Sequence, residues 1–121
     1  MRIIDSNIII YSALDEFSYL REYLKDSQSY VSKFSEVEVL GYYGLKPNQK
    51  QYFESVFYSL NVLPITDPIV QKVIDLRQQK KMTAGDSIIA ATALISGFEV
   101  ITRNTSDFDW IENLKVHNPI K

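Results

Sequence analysis

Ile3-Ile4-Asp5-Ser6-Asn7-Ile8-Ile9-Ile10 is the stretch that decides how this chain is read. Two β-branched apolar residues, a polar break and a second isoleucine run describe a short buried strand passing into a helix that starts near Asn7. Asp5 then lies at the strand's carboxyl end. Downstream the same grammar repeats. Phe17, Leu20, Tyr23 and Leu24 recur at steps of three and four, a helical stripe closed by the polar run Lys25 to Ser29, and Tyr30-Val31-Ser32 forms a brief second strand. Ser35-Glu36-Val37-Glu38 reads as an N-cap with an acid at the third helical position, on a helix weakened by Gly41 and Gly44. Past the break at Pro47-Asn48-Gln49, Tyr52, Phe53, Val56, Phe57 and Leu60 mark an amphipathic helix, followed by a third strand, Val62-Leu63-Pro64-Ile65.

Asp67 ahead of Pro68 pairs a capping side chain with proline in the first turn, and Val70, Val73, Ile74 and Leu76 carry that helix to Arg77. Thr83-Ala84-Gly85-Asp86 is a second capping signature. The run Ile88 to Ile95, broken only by Thr92, continues to Gly97, a good C-terminal stop, and its small apolar side chains put this helix deep in the core. Glu99-Val100-Ile101-Thr102 is a fourth strand and Leu114 to His117 a weaker fifth. Alternation of this kind predicts an α/β fold in three layers, helices on both faces of a central, mostly parallel sheet of four to five strands, because parallel neighbours need a crossover element. Ligands of such sheets bind outside the carboxyl ends of the strands, which is where Asp5 stands.

Composition narrows the chemistry. The 121 residues suit one domain, and 45% apolar with 23% charged residues is ordinary globular usage, far from the disordered regime. Thirteen basic and fifteen acidic residues leave a net charge of -2, so any polyanion must be held by a local patch and not by a global field. Without cysteine there is no disulfide, thiolate catalysis, iron–sulfur cluster or Cys-based zinc site, and His117 alone cannot furnish a multi-His metal site. Carboxylates remain. Neither a membrane-spanning run nor an apolar signal region is found, so the expected location is cytoplasmic.

Three acids sit against apolar neighbours: Asp5 after Ile3-Ile4, Glu38 between Val37 and Val39-Leu40, and Asp86 at the start of the most apolar helix. A buried charge must be matched by a counter-ion, hydrogen bonds or a metal. Oxygen donors without His or Cys favour a hard cation, Mg²⁺ or Mn²⁺. Each acid also has a plainer explanation: Asp5 can cap the first helix, Glu38 can close a capping box from Ser35, and Asp86 suits the N-terminal end of a helix dipole. Glu36, two positions from Glu38, faces another side of its helix.

Four stretches in order, Ile3 to Tyr11, Ser35 to Gly41, Asp86 to Ala93 and Ile101 to Phe108, resemble the PIN domain family and in particular its VapC-type ribonuclease toxins. The resemblance spans nearly the whole chain. It implies that Asp5, Glu38 and Asp86 match metal-binding acids, with catalysis shared by Asp107, and that Ser6, Asn7 and Asn104 support them. Many relatives carry an acid where Asn104 stands, so the fourth position falls either to Asn104 or to Asp107. The implied activity is a Mg²⁺- or Mn²⁺-dependent endoribonuclease, a toxin paired with a small antitoxin protein and assembled as a homodimer. Arg77, Lys80, Lys81 and Arg103 flank the acidic segments and are candidate contacts to RNA phosphates. Trp110 is read as packing; among the eight tyrosines, exposed members such as Tyr42, Tyr43 and Tyr58 could stack on unpaired RNA bases, with core filling or a partner interface the equal alternative for most.

Two other function classes compete. A phosphoaspartyl hydrolase with Asp5 as nucleophile wants a second acid two residues on, where Asn7 stands. A non-catalytic PIN-like scaffold that binds RNA or protein is compatible with a neutral Asn104.

Overall fold

The computed structural model describes all residues, 1–121. Five strands, β1 (Arg2–Ile4), β2 (Ser29–Ser32), β3 (Asn61–Leu63), β4 (Glu99–Ile101) and β5 (Val116–His117), form one sheet in the order β3-β2-β1-β4-β5. Every neighbouring pair is parallel. Six α-helices connect them: α1 (Ser6–Ser12), α2 (Arg21–Lys25), α3 (Lys33–Leu40), α4 (Pro47–Ser59), α5 (Asp67–Gln79) and α6 (Ala84–Ser96).

Strand side chains alternate between faces, so three-residue strands supply two separate cores. Ile4, Val31 and Ile101 point to one side and pack with Ile8, Ile9, Leu20, Leu24, Val39 and the Phe53–Phe57 side of α4. Ile3 and Val100 point to the other and pack with Ile69, Leu76, Ile89, Ala90, Ala93 and Phe108. Helices α1 to α4 thus cover one face and α5 with α6 the other. This is the expected three-layer arrangement, with burial on both sides making the strand residues continuously apolar.

The strand order explains where a site can form. From β1 the chain moves outward through β2 to β3, then returns by α5 and α6 to β4 on the opposite side of β1. Connections leaving β1 and β4 diverge, and a crevice opens at the carboxyl ends of those two strands. In register, Ile4 lies beside Ile101, so the next residues, Asp5 and Thr102, meet at that crevice.

A seven-residue α1 has too few turns to stand alone. It is tied down at its far end, where Arg21 Nε donates to the Ser12 carbonyl at 2.8 Å and Tyr52 Oη is 2.8 Å from Ser12 Oγ. Helix α6 ends as expected at Gly97, whose φ of 73° is the left-handed conformation glycine adopts without strain.

Several boundaries differ from the sequence reading. The cap of α3 is Ser32, whose Oγ accepts from the Phe34 amide at 3.2 Å; Ser35 lies inside the helix, buried, its hydroxyl without a hydrogen-bond partner. β2 runs directly into α3, so the serine at the strand's end takes the capping place before Ser35 can. Thr66, not Asp67, occupies the cap position of α5, and Asp67 and Pro68 fill its first turn. Pro47 begins α4 instead of separating it from the preceding segment, consistent with proline's tolerance at the first helical position. The stripe from Phe17 to Leu24 is split into a 3-10 segment, Asp15–Leu20, kinked at Phe17, and the short α2. β3 stops at Leu63, ahead of Pro64.

Candidate active site

Asp5 follows β1 and caps α1. Its Oδ1 accepts from the Ser6 amide at 2.7 Å, and its Oδ2 accepts from Thr102 Oγ1 at 2.7 Å and from Asn7 Nδ2 at 3.3 Å. Only 6% of Asp5 is exposed. Burial is the main reason its carboxyl is pushed up to about 6; the Thr102 and Ser6 hydrogen bonds oppose the shift, while the charges of Asp86 and Glu38 add to it. Capping and a ligand role are therefore compatible at this residue, since the cap uses one oxygen.

Glu38 reaches the same crevice from α3, on the exposed side of that helix, and its Oε1 accepts from Ser6 Oγ at 2.8 Å. With Ser32 as the cap, the capping-box explanation of Glu38 does not apply; its partner lies 32 positions away and not within its own first turn. Opposite it stands Gly85 near the start of α6. A Cβ built there would lie 2.7 Å from Glu38 Oε2, so the glycine is what lets the carboxylate lie against that helix. Glu36 turns away and pairs with Lys33 at 2.6 Å, as the helical geometry requires.

Asp86 is at the third position of α6, its amide donating to the capping Thr83 Oγ1 at 3.1 Å. Burial holds its carboxyl above the ordinary range, helped by the neighbouring charges of Asp107 and Glu38 and partly offset by the Thr83 hydrogen bond. Asp107, exposed at the end of the 3-10 turn Thr105–Asp107, lines the same cleft as Asp86, and its charge helps raise the Asp86 carboxyl. Asn104 is exposed, and its amide N–H donates to Thr102 Oγ1 at 3.1 Å. Of the two residues competing for the fourth position, Asp107 is the one coupled to Asp86.

Asp5 thus feels the charges of Asp86 and Glu38, and Asp86 those of Asp107 and Glu38. The four acids, from four segments, form an open arrangement: as the side chains stand, no three of them converge as a ready-made chelate. The donor set is nonetheless all oxygen, with one member nearly fully buried, and that chemistry fits a hard divalent cation. Mutual repulsion among the acids is what such an ion relieves.

Basic residues distribute unevenly around the acids. Lys80 and Lys81 line a cleft of about 200 Å³ together with Thr83, Asp86, Asp107 and Trp110. Arg77 does not line that cleft but a separate hollow that it shares with the same two lysines. On the other flank, the Arg103 amide donates to Asn7 Oδ1 at 3.2 Å and its guanidinium sits 5.2 Å from the Tyr11 ring.

Sequence reasoning missed Thr102 and Gly85. The signal for Thr102 was present: a hydroxyl residue at the end of a strand that the alternating pattern would place beside β1. Gly85 offered none, because nothing local says that a side chain 47 positions earlier needs the space.

A model of the PIN domain family matches residues 2–112. The chain is 27% identical over 124 residues to "Ribonuclease VapC10" of Mycobacterium tuberculosis, an alignment covering 95% of this chain and 91% of that protein. Among solved structures, a toxin–antitoxin complex from Klebsiella pneumoniae matches with a TM-score of 0.80 and 31% identity, covering 100% of this chain and 99% of that one. VapBC2 from Rickettsia felis, bound to a DNA fragment from its promoter, gives a TM-score of 0.80 at 18% identity over 97% of both chains, a shared fold alone. The four stretches that first pointed to a family, the parallel sheet with its crevice, and a family match over almost the entire sequence agree: this chain belongs to the PIN domain family.

Proposed function

We propose that this protein is a VapC-type ribonuclease, a metal-dependent endoribonuclease that hydrolyses RNA phosphodiester bonds as the toxin of a type II toxin–antitoxin pair. The observation that supports this reading is that Asp5 and Asp86, each raised by burial and by the charge of Glu38, border one crevice at the strand switch point, with Asp107 beside Asp86. Acids so placed are costly to the fold and make physical sense as cation ligands. Asp5, Glu38 and Asp86 would hold Mg²⁺ or Mn²⁺, with Asp107 beside Asp86. When bound, the ion polarises the scissile phosphodiester and activates the attacking water.

The chain's own groups do the positioning. Thr102 and Asn7 fix Oδ2 of Asp5, the Ser6 amide fixes its Oδ1, and the Ser6 hydroxyl turns Glu38 toward the crevice. Lys80 and Lys81 on one flank and Arg103 on the other receive backbone phosphates of the RNA.

An antitoxin partner is part of the same proposal. An apolar groove of about 380 Å³, lined by Ile10, Leu14, Val39, Tyr42 and Phe53, runs up to Glu38 and gives a partner segment a surface adjoining the acids. Homodimerisation and a cytoplasmic location complete the proposal. No helix is long and apolar enough to cross a membrane.

The reading is tested by incubating the protein with structured and single-stranded RNA, with Mg²⁺, Mn²⁺ or chelator, beside Asp5→Asn and Asp86→Asn. Cleavage that needs the metal and fails in both variants is expected. RNA binding with no cleavage under any condition would instead favour a non-catalytic scaffold, a reading to which Asn104 in place of an acid lends some weight. Phosphoaspartyl chemistry finds no second acid here, because Asn7 spends its side chain on Asp5 and on the Arg103 amide.

A further inference from the structure

We infer that the cleft beside Asp86 and Asp107 is a nucleotide subsite in which one base of single-stranded RNA stacks on the indole of Trp110, Lys80 and Lys81 taking the adjoining phosphates. The inference rests on the nuclease reading for its biological meaning, though not for its physics.

The indole has two different surroundings. It packs against the core formed by Phe108, Ile111 and the α5–α6 face, and it also lines the cleft that holds both acids. Its plane is fixed: Trp110 Nε1 donates to the Asp107 carbonyl at 3.1 Å, which ties the ring to the very turn that carries the acid. Over the half-buried ring stands the ammonium of Lys80, 5.4 Å from the centroid, on an exposed side chain with four rotatable bonds. A cation over an exposed aromatic face is weakly held and easily displaced. An arriving base takes the face, and the released ammonium, with that of Lys81, meets phosphate.

The chemistry of the lining selects the ligand class. A flat aromatic surface recognises a π-face and two ammoniums recognise an anion; a nucleotide within a strand offers both, with its phosphates on the lysine side of the cleft. About 200 Å³ admits one ring system and not a folded duplex, so the base must be unpaired. Stacking of this kind tolerates any base, which predicts weak sequence preference at this position.

Trp110 is the sole tryptophan of the chain, so its emission reports on this cleft alone. We expect titration with single-stranded oligoadenylate in chelator, where no scission intervenes, to quench Trp110 emission to saturation, whereas inorganic phosphate and a blunt RNA duplex leave it unchanged. A labelled oligoadenylate followed by anisotropy should bind Trp110→Leu about tenfold more weakly than the parent, and Trp110→Tyr within about threefold, with melting temperatures checked for each. Anisotropy showing binding without any change in emission, equal affinity for Trp110→Leu, or no binding of oligoadenylate at all overturns the subsite. If Trp110→Leu fails to fold, the emission titration of the parent protein still decides. Quenching by a protein that cleaves no RNA with Mg²⁺ or Mn²⁺ keeps the subsite and removes the nuclease; cleavage without quenching does the reverse.

Discussion

Thr102 Oγ1 donates a 2.7 Å hydrogen bond to Oδ2 of Asp5, joining the ends of two adjacent parallel strands across 97 positions of sequence. The same oxygen accepts from the Asn104 amide at 3.1 Å and from Asn7 Nδ2 at 3.4 Å. Thr102 therefore organises the acid it touches and the loop that leads to Asp107. Thr102→Val keeps the shape and removes the hydroxyl. We expect RNA cleavage to fall about 10- to 100-fold, the range seen when a group orienting a metal ligand is lost. Because the lost bond favours the ionised form, the Asp5 carboxyl should titrate higher still. Rates and an NMR titration of Asp5 check both; an unchanged rate with a normal fold would show that Asp5 is oriented without it.

Gly85 and Glu38 make a second prediction. Gly85→Ala puts a methyl 2.7 Å from Glu38 Oε2, but that atom ends a flexible side chain and can move at little cost to the fold. Alanine is also a better helix former than glycine by up to about 1 kcal/mol. The variant should melt at or above the parent temperature yet cleave RNA about tenfold more slowly, the lower bound for disturbing a ligand's setting. In a Glu38→Ala background the same change should have no effect on rate. A rate loss that persists there would place the role of Gly85 elsewhere.

Buried acids make stability pH-dependent in a definite sense. Asp5 moves from 3.8 to about 6 on folding, so between those values the folded state holds a proton that the unfolded chain has lost. Stability therefore falls as pH rises through that window, by about 3 kcal/mol from Asp5 alone. Asp86, also raised, acts in the same direction. Asp26, held low by the Gln28 amide and by Arg2, acts oppositely and loses its contribution as pH falls, but it is exposed and screened. Thermal melts in chelator should show a higher midpoint at pH 5 than at pH 8. Asp5→Asn should raise the pH 8 midpoint and flatten the profile, a stabilising change at a site the function needs.

The two claimants for the fourth position separate by mutation. Asp107 lines the same cleft as Asp86 and raises its carboxyl, whereas Asn104 does not line that cleft. Asp107→Asn should lower the Asp86 titration and slow cleavage about tenfold or more, while Asn104→Ala should stay within about threefold of the parent. The opposite ranking would assign the place to Asn104.

Salt dependence should distinguish the cleft lysines from Arg77. Each phosphate contact on a single strand contributes a slope of about 0.7 to the logarithmic fall of affinity with salt. Replacing Lys80 and Lys81 with Gln should lower that slope by roughly 1.4 in total, and Arg77→Gln, outside the cleft, should leave it unchanged. Affinity titrations between low and moderate salt measure this.

The architecture was legible in the sequence because burial on both sides of a parallel sheet forces β-branched runs, and packing against it forces helical stripes; Ile3-Ile4, Val100-Ile101 and the Ile88–Ile95 run carry that pattern without ambiguity. Residue type likewise limited the chemistry to carboxylates, and the four family-like stretches marked Asp5, Glu38 and Asp86. Boundaries were less legible. The linear reading puts the cap of α3 at Ser35, three residues ahead of Glu38, and only the point at which β2 leaves the sheet selects Ser32.

What tertiary structure alone decided is which groups meet. That Thr102 holds Asp5, that Ser6 holds Glu38, that Gly85 makes room for it, and that Trp110 shares a cleft with Asp86 and Asp107 all depend on strand order and register. Local sequence encodes the period of each element through short-range backbone sterics and side-chain patterning. The distance between side chains a hundred residues apart is set by how two cores close on opposite faces of one sheet, and that is a property of the packed whole.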